Sequence, residues 1–121
     1  MSKIILTVDD SRTMRDMLRL ALVEAGFEVI QAEDGVHGLE MLEGQAPDVI
    51  VTDINMPRMD GYGFIEGVRA DPRHRAIPIL VLSTESSTEK KMRARDAGAT
   101  GWIVKPFSPE KLVDAIRRVA A

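Results

Sequence analysis

Five short apolar runs rich in β-branched residues alternate with five helical patterns along the 121-residue chain, and that alternation predicts an α/β domain. Two further observations narrow it. Several runs are apolar at nearly every position, as strands buried on both faces must be, and the connections between elements are short. Parallel strands joined by right-handed crossovers satisfy all three, giving a doubly wound, five-stranded parallel sheet with five helices on both faces. No linker, repeat or low-complexity tract divides the chain, so residues 1–121 are read as one domain. A domain of this size buries roughly two-thirds of the surface its unfolded form exposes.

The first strand is Lys3 to Val8, which runs into Asp9-Asp10, and Ser11 is placed to cap the next helix. In that helix Met14, Met17, Leu18, Ala21, Leu22 and Ala25 recur at helical spacing, and Gly26 closes it as a left-handed cap. Phe27 to Ala32 forms a second strand, nearer the sheet edge because polar residues interrupt it. Asp34-Gly35 starts a second helix, with Leu39, Met41 and Leu42 inward and Gly44 as its stop. The third strand follows the Pro47-Asp48 turn, runs from Val49, and delivers Asp53 to its carboxyl end; Pro57, Asp60 and Gly61 stop it.

Gly61 to Ala70 is a helix that packs Phe64, Ile65 and Val68, and Asp71-Pro72 ends it. Ile77 to Leu82 is the fourth strand, followed by Ser83-Thr84-Glu85. Ser86 with Glu89 has capping-box spacing for a fourth helix, polar on most sides, that stops at Gly98. Gly101 to Val104 is the fifth strand and ends at Lys105-Pro106. Ser108, Pro109 and Glu110 are cap, first-turn proline and dipole-matched acid for a last helix, whose apolar face is Leu112, Val113, Ile116, Val119 and Ala120.

Composition excludes several function classes. A net charge of −3 argues against a broad basic face for nucleic acid. The absence of cysteine removes disulfide frameworks, zinc-thiolate sites and cysteine catalysis, and fits a reducing compartment. Neither a signal-peptide core nor a run long enough to span a membrane is present, so a cytoplasmic chain with no membrane partner is expected.

Parallel strands all point one way, so the residues ending the first, third, fourth and fifth strands, Asp9-Asp10, Asp53, Ser83 and Lys105, converge at one edge of the sheet. Such edges are where open α/β sheets bind ligands. Two unit charges about 4 Å apart at an effective dielectric near 20 repel by roughly 4 kcal/mol, so clustered carboxylates need positive charge. Lys105 supplies one unit. A hard, oxygen-seeking divalent cation such as Mg²⁺ supplies two, with Asp10 and Asp53 as ligands and Asp9 acting directly or through water. His37 and His74 fall in helix and loop contexts away from these strand ends and are expected on the surface or a helix face. A carboxylate beside such a cation is a nucleophile suited to phosphoryl transfer, with the Ser83 hydroxyl and the Lys105 ammonium placed to meet phosphoryl oxygens.

Four segments carry a resemblance. Val8-Asp9-Asp10-Ser11, Thr52 through Gly61 (TDINMPRMDG), Leu82-Ser83-Thr84-Glu85 and Val104-Lys105-Pro106-Phe107 resemble the signature set of two-component response regulator receiver domains. The likeness runs essentially end to end. The lack of an output domain, with Asn55 after Asp53 and Glu85 after Ser83, resembles the single-domain chemotaxis regulators most. The resemblance implies a flavodoxin-like strand order of 2-1-3-4-5 and a phosphorylation-activated switch that is not a turnover enzyme, beyond self-catalysed phosphotransfer and autodephosphorylation. Asp53 would accept phosphate from the phosphohistidine of a chemotaxis-type histidine kinase. Asp9, Asp10, Asp53 and the backbone carbonyl of Asn55 would hold Mg²⁺. Ser83 and Lys105 would read the phosphoryl group, the Lys105-Pro106 bond would be cis, and Trp102 would turn inward as Ser83 moves, remodelling the face of the fourth helix, fifth strand and fifth helix for a protein target such as the flagellar motor switch. A regulator that drains phosphate from a shared kinase, or one that serves a pathway other than chemotaxis, has the same appearance. A monomer is expected.

Two positions depart from the family pattern. Thr84 stands where many receivers carry Ala or Gly, and its branched side chain would narrow the path to Asp53; Asn55, Thr84 and Glu85 are thus read as modulating residues. Trp102 stands where Tyr is more frequent. Lys90, Lys91, Arg93 and Arg95 make the fourth helix basic, either as a solvated face or for an acidic partner motif. Two rivals come from other classes. An Mg²⁺-dependent phosphohydrolase with an aspartate nucleophile resembles a pattern with a second Asp where this chain has Asn55, and usually needs a cap. A flavin-binding electron carrier of the same fold class needs a phosphate loop that Asp9-Asp10 would repel.

Overall fold

The computed structural model describes residues 2–120. Five strands, β1 (Ile4–Val8), β2 (Glu28–Ala32), β3 (Val49–Thr52), β4 (Ile79–Ser83) and β5 (Gly101–Val104), alternate with five helices. These are α1 (Arg12–Glu24), α2 (Gly35–Gly44), α3 (Gly61–Ala70), α4 (Thr88–Ala97) and α5 (Pro109–Ala120). The strands form one sheet in the order β2-β1-β3-β4-β5, and every pairing is parallel. This is the expected doubly wound, flavodoxin-like architecture.

Side chains alternate across a strand, and the central strands divide their apolar residues between two layers accordingly. Leu6, Val8, Ile50, Ile79 and Val81 pack with Leu42 of α2, Phe64, Ile65 and Val68 of α3, and Ala94 of α4. Ile5, Val49, Val51, Leu80 and Leu82 pack on the opposite face with Leu18 and Leu22 of α1 and Leu112, Val113 and Ile116 of α5. Full burial of each such Leu, Ile or Phe is worth about 1.5–3 kcal/mol, so the two layers anchor the sheet that carries the site.

Helix ends follow the sequence with one exception. Ser11, Asp34 and Asp60 cap α1, α2 and α3, each accepting a backbone N–H three residues on. Gly26, at φ 94°, closes α1: its N–H donates to the Val23 carbonyl and that of Phe27 to the Leu22 carbonyl, a paired closure only a left-handed residue permits. The cap of α4 is Ser87, whose hydroxyl accepts the Lys90 N–H at 3.2 Å, and not Ser86. Glu89 therefore sits in the first turn favoured by the helix dipole without closing a capping box.

Two burial expectations are also corrected. Met17 is 51% exposed, because Leu18 and Leu22, flanked by Met14 and Ala25, fill the inward stripe of α1, and its neighbours Leu20 and Val23 face outward with it. His74 is buried rather than on the surface. The turn after α3 folds back on itself, with the His74 N–H on the Asp71 carbonyl and that of Ile77 on the His74 carbonyl, and tucks the ring beneath it. Arg69 holds this turn: its guanidinium donates to the carbonyls of Arg75, Ile77 and Gly98, the last at the end of α4. His37 lies in the first turn of α2, where its Nδ1 accepts the Glu33 N–H.

Candidate functional site

Backbone pairing carries on past the strands and fixes the spacing of the site. The Asp53 N–H donates to the Val8 carbonyl, that of Asp9 to the Ala32 carbonyl, and that of Lys105 to the Ser83 carbonyl. Asp9, Asp53, Ser83 and Lys105 thus stand in neighbouring positions along the carboxyl edge, as the parallel direction requires. The first polar residues after the apolar strands are the ones brought together.

Asp9, Asp10 and Asp53 each offer a carboxylate oxygen within 4.8 Å of the others. Among the described residues this is the cluster of acidic or imidazole groups able to hold a metal ion. Lys105 Nζ donates to Asp9 Oδ2 at 3.1 Å and to Asp53 Oδ2 at 3.3 Å. The other oxygens are held by backbone: Asp9 Oδ1 accepts the Ser11 N–H at 2.9 Å, and Asp53 Oδ1 accepts the Ile54 N–H at 2.7 Å. Asp9 is buried, Asp53 half-buried and Asp10 exposed, so the pocket has a sealed floor and an open mouth.

Two carboxylates, Asp9 and Asp53, share one ammonium beside a third, Asp10, and the titration tendencies follow. Burial raises the Asp53 carboxyl above its ordinary value, and the Asp9 charge adds to this; the Ile54 N–H and Lys105 oppose it without winning. Burial works against the Lys105 ammonium, yet the Asp53 and Asp9 charges outweigh it and raise its pKa. The ammonium is kept charged by two partners while each carboxylate has only a share of one. A hard divalent cation with oxygen ligands relieves this imbalance, and the all-carboxylate donor set fits Mg²⁺ better than zinc or copper.

Ser83 is fully buried at the end of β4, where its hydroxyl accepts the Glu85 N–H at 3.2 Å. The Glu85 carbonyl in turn accepts the indole N–H of Trp102 at 2.9 Å, so the backbone of one residue, Glu85, links the Ser83 hydroxyl to the β5 aromatic. Trp102 is half-buried against the α2-α3-α4 layer. Thr84 is exposed, and the Glu85 carboxylate pairs with Lys90 at 2.9 Å. Asn55 is exposed in the β3–α3 loop, and the Lys105-Pro106 peptide is cis.

Sequence reasoning missed two arginine contacts on the loops that follow Asp9 and Asp53. Arg15, on the first turns of α1, donates to the Asp9 backbone carbonyl at 2.8 Å. Arg58, in the β3–α3 loop, forms a two-pronged pair with Asp34, Nε to Oδ2 at 2.7 Å and Nη2 to Oδ1 at 3.0 Å. An arginine five residues after a strand-end aspartate carries no periodic signal. Asp34 was readable only as a helix start.

Comparisons with known proteins agree with this geometry. Residues 5–117 match the model of the response regulator receiver domain. Chemotaxis protein CheY1 of Helicobacter pylori (strain J99) is 41% identical over 117 residues, covering 95% of this chain and 94% of that protein. Chemotaxis response regulator CheY4 of Vibrio cholerae superposes with a TM-score of 0.93 at 44% identity, over 98% of this chain and 99% of that one. The receiver domain of sensor histidine kinase PA1611 from Pseudomonas aeruginosa, solved with a magnesium ion coordinated in its active site cleft, superposes with a TM-score of 0.92 at 26% identity. It covers 99% of this chain and 98% of that one.

Proposed function

This chain belongs to the family of response regulator receiver domains, and from that premise we propose the chemistry its residues perform. The protein is a phosphorylation-activated signalling switch of the chemotaxis type. A histidine kinase supplies the phosphoryl group. The Asp53 carboxylate attacks phosphorus in line with the phosphohistidine nitrogen, an O–P bond forms, the P–N bond breaks with its electron pair returning to the imidazole, and Asp53 becomes an acyl phosphate.

The single observation that supports this most is Lys105 Nζ bridging Asp9 and Asp53, which puts a fixed cation beside the nucleophile and inside a carboxylate cluster. Asp9, Asp10 and Asp53, with the Asn55 backbone carbonyl, would hold Mg²⁺. A bound Mg²⁺ neutralises phosphoryl oxygens and holds them in line. Once Asp53 is esterified, Lys105 follows the new charge and the Ser83 hydroxyl donates to another phosphoryl oxygen. That donation draws Ser83 away from the Glu85 N–H, and the Glu85 backbone passes the change to Trp102. The face built by α4, β5 and α5 then presents a different surface to a protein target, the flagellar motor switch being one such target. Thr84, which follows Ser83 and is exposed, slows access of phosphodonor and water, and hydrolysis of the acyl phosphate resets the cytoplasmic, monomeric chain.

The test is incubation with Mg²⁺ and acetyl phosphate, or with beryllofluoride, followed by intact mass and Trp102 fluorescence. Wild type gains one phosphoryl group and its emission changes. Asp53→Asn does neither. Unchanged mass and emission in the wild-type chain would overturn the assignment.

A further inference from the structure

The β3–α3 loop contains the one non-glycine residue at positive φ among the described residues: Arg58, at 64°. The Met59 N–H returns to the Pro57 carbonyl at 2.6 Å, closing a three-residue turn around Arg58 of the rarer, strained hand. A non-glycine residue held this way persists only where its surroundings over-determine it. Two contacts do so here, both to the short turn that joins β2 to α2. The Arg58 guanidinium grips Asp34 with both prongs, and the Gly35 N–H donates to the Met59 carbonyl at 3.2 Å. The approach is so close that a Cβ on Gly35 would lie 2.7 Å from the Met59 side chain and 2.8 Å from its carbonyl oxygen.

The same β2–α2 turn reaches the other half of the acidic pocket. Ala32, two residues before Asp34, accepts the Asp9 N–H at 3.1 Å. One segment, residues 32–35, therefore grips Asp9 at one end and the loop bearing Asn55 at the other. Asp34 is suited to this because it is nearly inaccessible and already fixed: it caps α2 through the His37 N–H while the Arg58 guanidinium holds its carboxyl below the ordinary range.

We propose that Asp34 and Arg58 are positioning residues for the cation site, their ion pair bracing the strained β3–α3 loop against the β2–α2 turn and so setting the distance between the Asp9 carboxylate and the Asn55 carbonyl. The inference rests on the assignment of Mg²⁺ to this pocket. It adds to that assignment a source of loop order that lies outside the ligand set. Supports behind the ligands of a metal site typically account for ten- to a hundredfold of its affinity.

Arg58→Gly separates this role from two simpler ones. Glycine accepts positive φ without strain, but losing the guanidinium leaves the nearly inaccessible Asp34 carboxylate without its partner, so a purely structural role predicts a lower melting temperature with Mg²⁺ affinity unchanged. Loss of a cation makes the protein more attractive to Mg²⁺, so bulk electrostatics alone predicts tighter binding. The bracing role predicts the reverse. Titration calorimetry with MgCl₂ on the full chain, well below the variant's melting temperature, should show affinity about tenfold weaker in Arg58→Gly. Asp34→Asn keeps the helix cap and loses the charge; it should weaken Mg²⁺ binding too, and the double variant should be no weaker than Arg58→Gly alone. Arg58→Gly affinity within twofold of wild type, or additive losses in the double variant, would overturn the inference. A wild-type chain that binds no Mg²⁺ would instead remove the underlying assignment, and the inference with it.

Discussion

The helices α4 and α5 flank the same edge strand, yet they are attached by different physics. Alternate residues of β5 face the two layers, Trp102 toward α4 and Ile103 toward α5. α5 buries Leu112, Val113 and Ile116 in the core, whereas α4 buries only Ala94 and leaves Met92 about half exposed. What holds α4 is polar and directional: Arg69 Nε on the Gly98 carbonyl at 3.0 Å, the Arg93 guanidinium 3.9 Å above the Tyr62 ring, and Lys90 on Glu85. Each such contact is worth about 1 kcal/mol or less and can be exchanged for another or for water. Packed apolar residues cannot be exchanged that way. The difference teaches which half of the α4-β5-α5 face can move: α5 is the fixed reference, and α4 with its preceding loop is the adjustable part.

The largest effect that can break this contrast is on global stability. Leu112→Ala empties a fully buried site in the layer that α5 shares with β3 and should cost 2–5 kcal/mol, on the order found for buried Leu truncations. Met92→Ala on α4 should change stability by no more than about 0.5 kcal/mol. Urea unfolding followed by circular dichroism measures both. Similar losses in the two variants would place α4 among the anchored elements and end the distinction.

A smaller effect sharpens the contrast at the pocket. Asp53 follows β3, the strand beneath α5, so its charge state should be felt in global unfolding. Because the native carboxyl titrates above its unfolded value of 3.8, the native state takes up a proton in a pH range where the unfolded chain has already lost it. Ionisation of Asp53 therefore destabilises the fold as pH rises through the raised native pKa. The penalty grows as pH rises above about 3.8 and is complete above the raised native pKa. Metal-free Asp53→Asn should accordingly be more stable than wild type at pH 7, by on the order of 1 kcal/mol, with the gap closing on acidification. Lys105 has the opposite consequence. Its raised pKa means a stabilising contribution that persists through neutral pH and is lost only as pH climbs past the ordinary lysine value of 10.5 toward the native one. A gap that widened on acidification would contradict the charge balance described for the pocket.

These two regions also differ in how well they could be read beforehand. The strands, their direction and hence the convergence of Asp9, Asp53, Ser83 and Lys105 follow from periodicity and crossover rules, because every parallel strand must end at the same edge. Four motif segments then narrowed the family. What could not be read depends on tertiary partners. Arg58 acquires its role from Asp34, 24 residues away, and from a positive φ that its sequence does not announce. His74 has the composition of a surface loop residue and is buried because the Asp71-Pro72 turn folds over it. Ser86 and Ser87 are equivalent by type, and only the entry angle into α4 chooses the second. Met17 satisfies helical spacing as well as Leu18 does, but a two-layer sheet needs only a narrow stripe from α1.

The smallest effect isolates the adjustable side. Trp102→Phe keeps an aromatic ring on β5 and deletes the N–H that the Glu85 carbonyl accepts. One such bond is worth about 1 kcal/mol, close to a fivefold change in a local opening equilibrium. Global unfolding should therefore move little. Amide hydrogen exchange should instead accelerate up to about fivefold across residues 84–88, the β4–α4 connection and the start of α4, while amides of α5 keep their wild-type protection. If Glu85 is the joint between Ser83 and Trp102, freeing one side of it loosens the loop and leaves α5, which packs on the opposite face of the sheet from Trp102, unaffected. Equal acceleration in α4 and α5 would mean that the two helices open as one unit, and a switch built on moving the first against the second would have no mechanical basis.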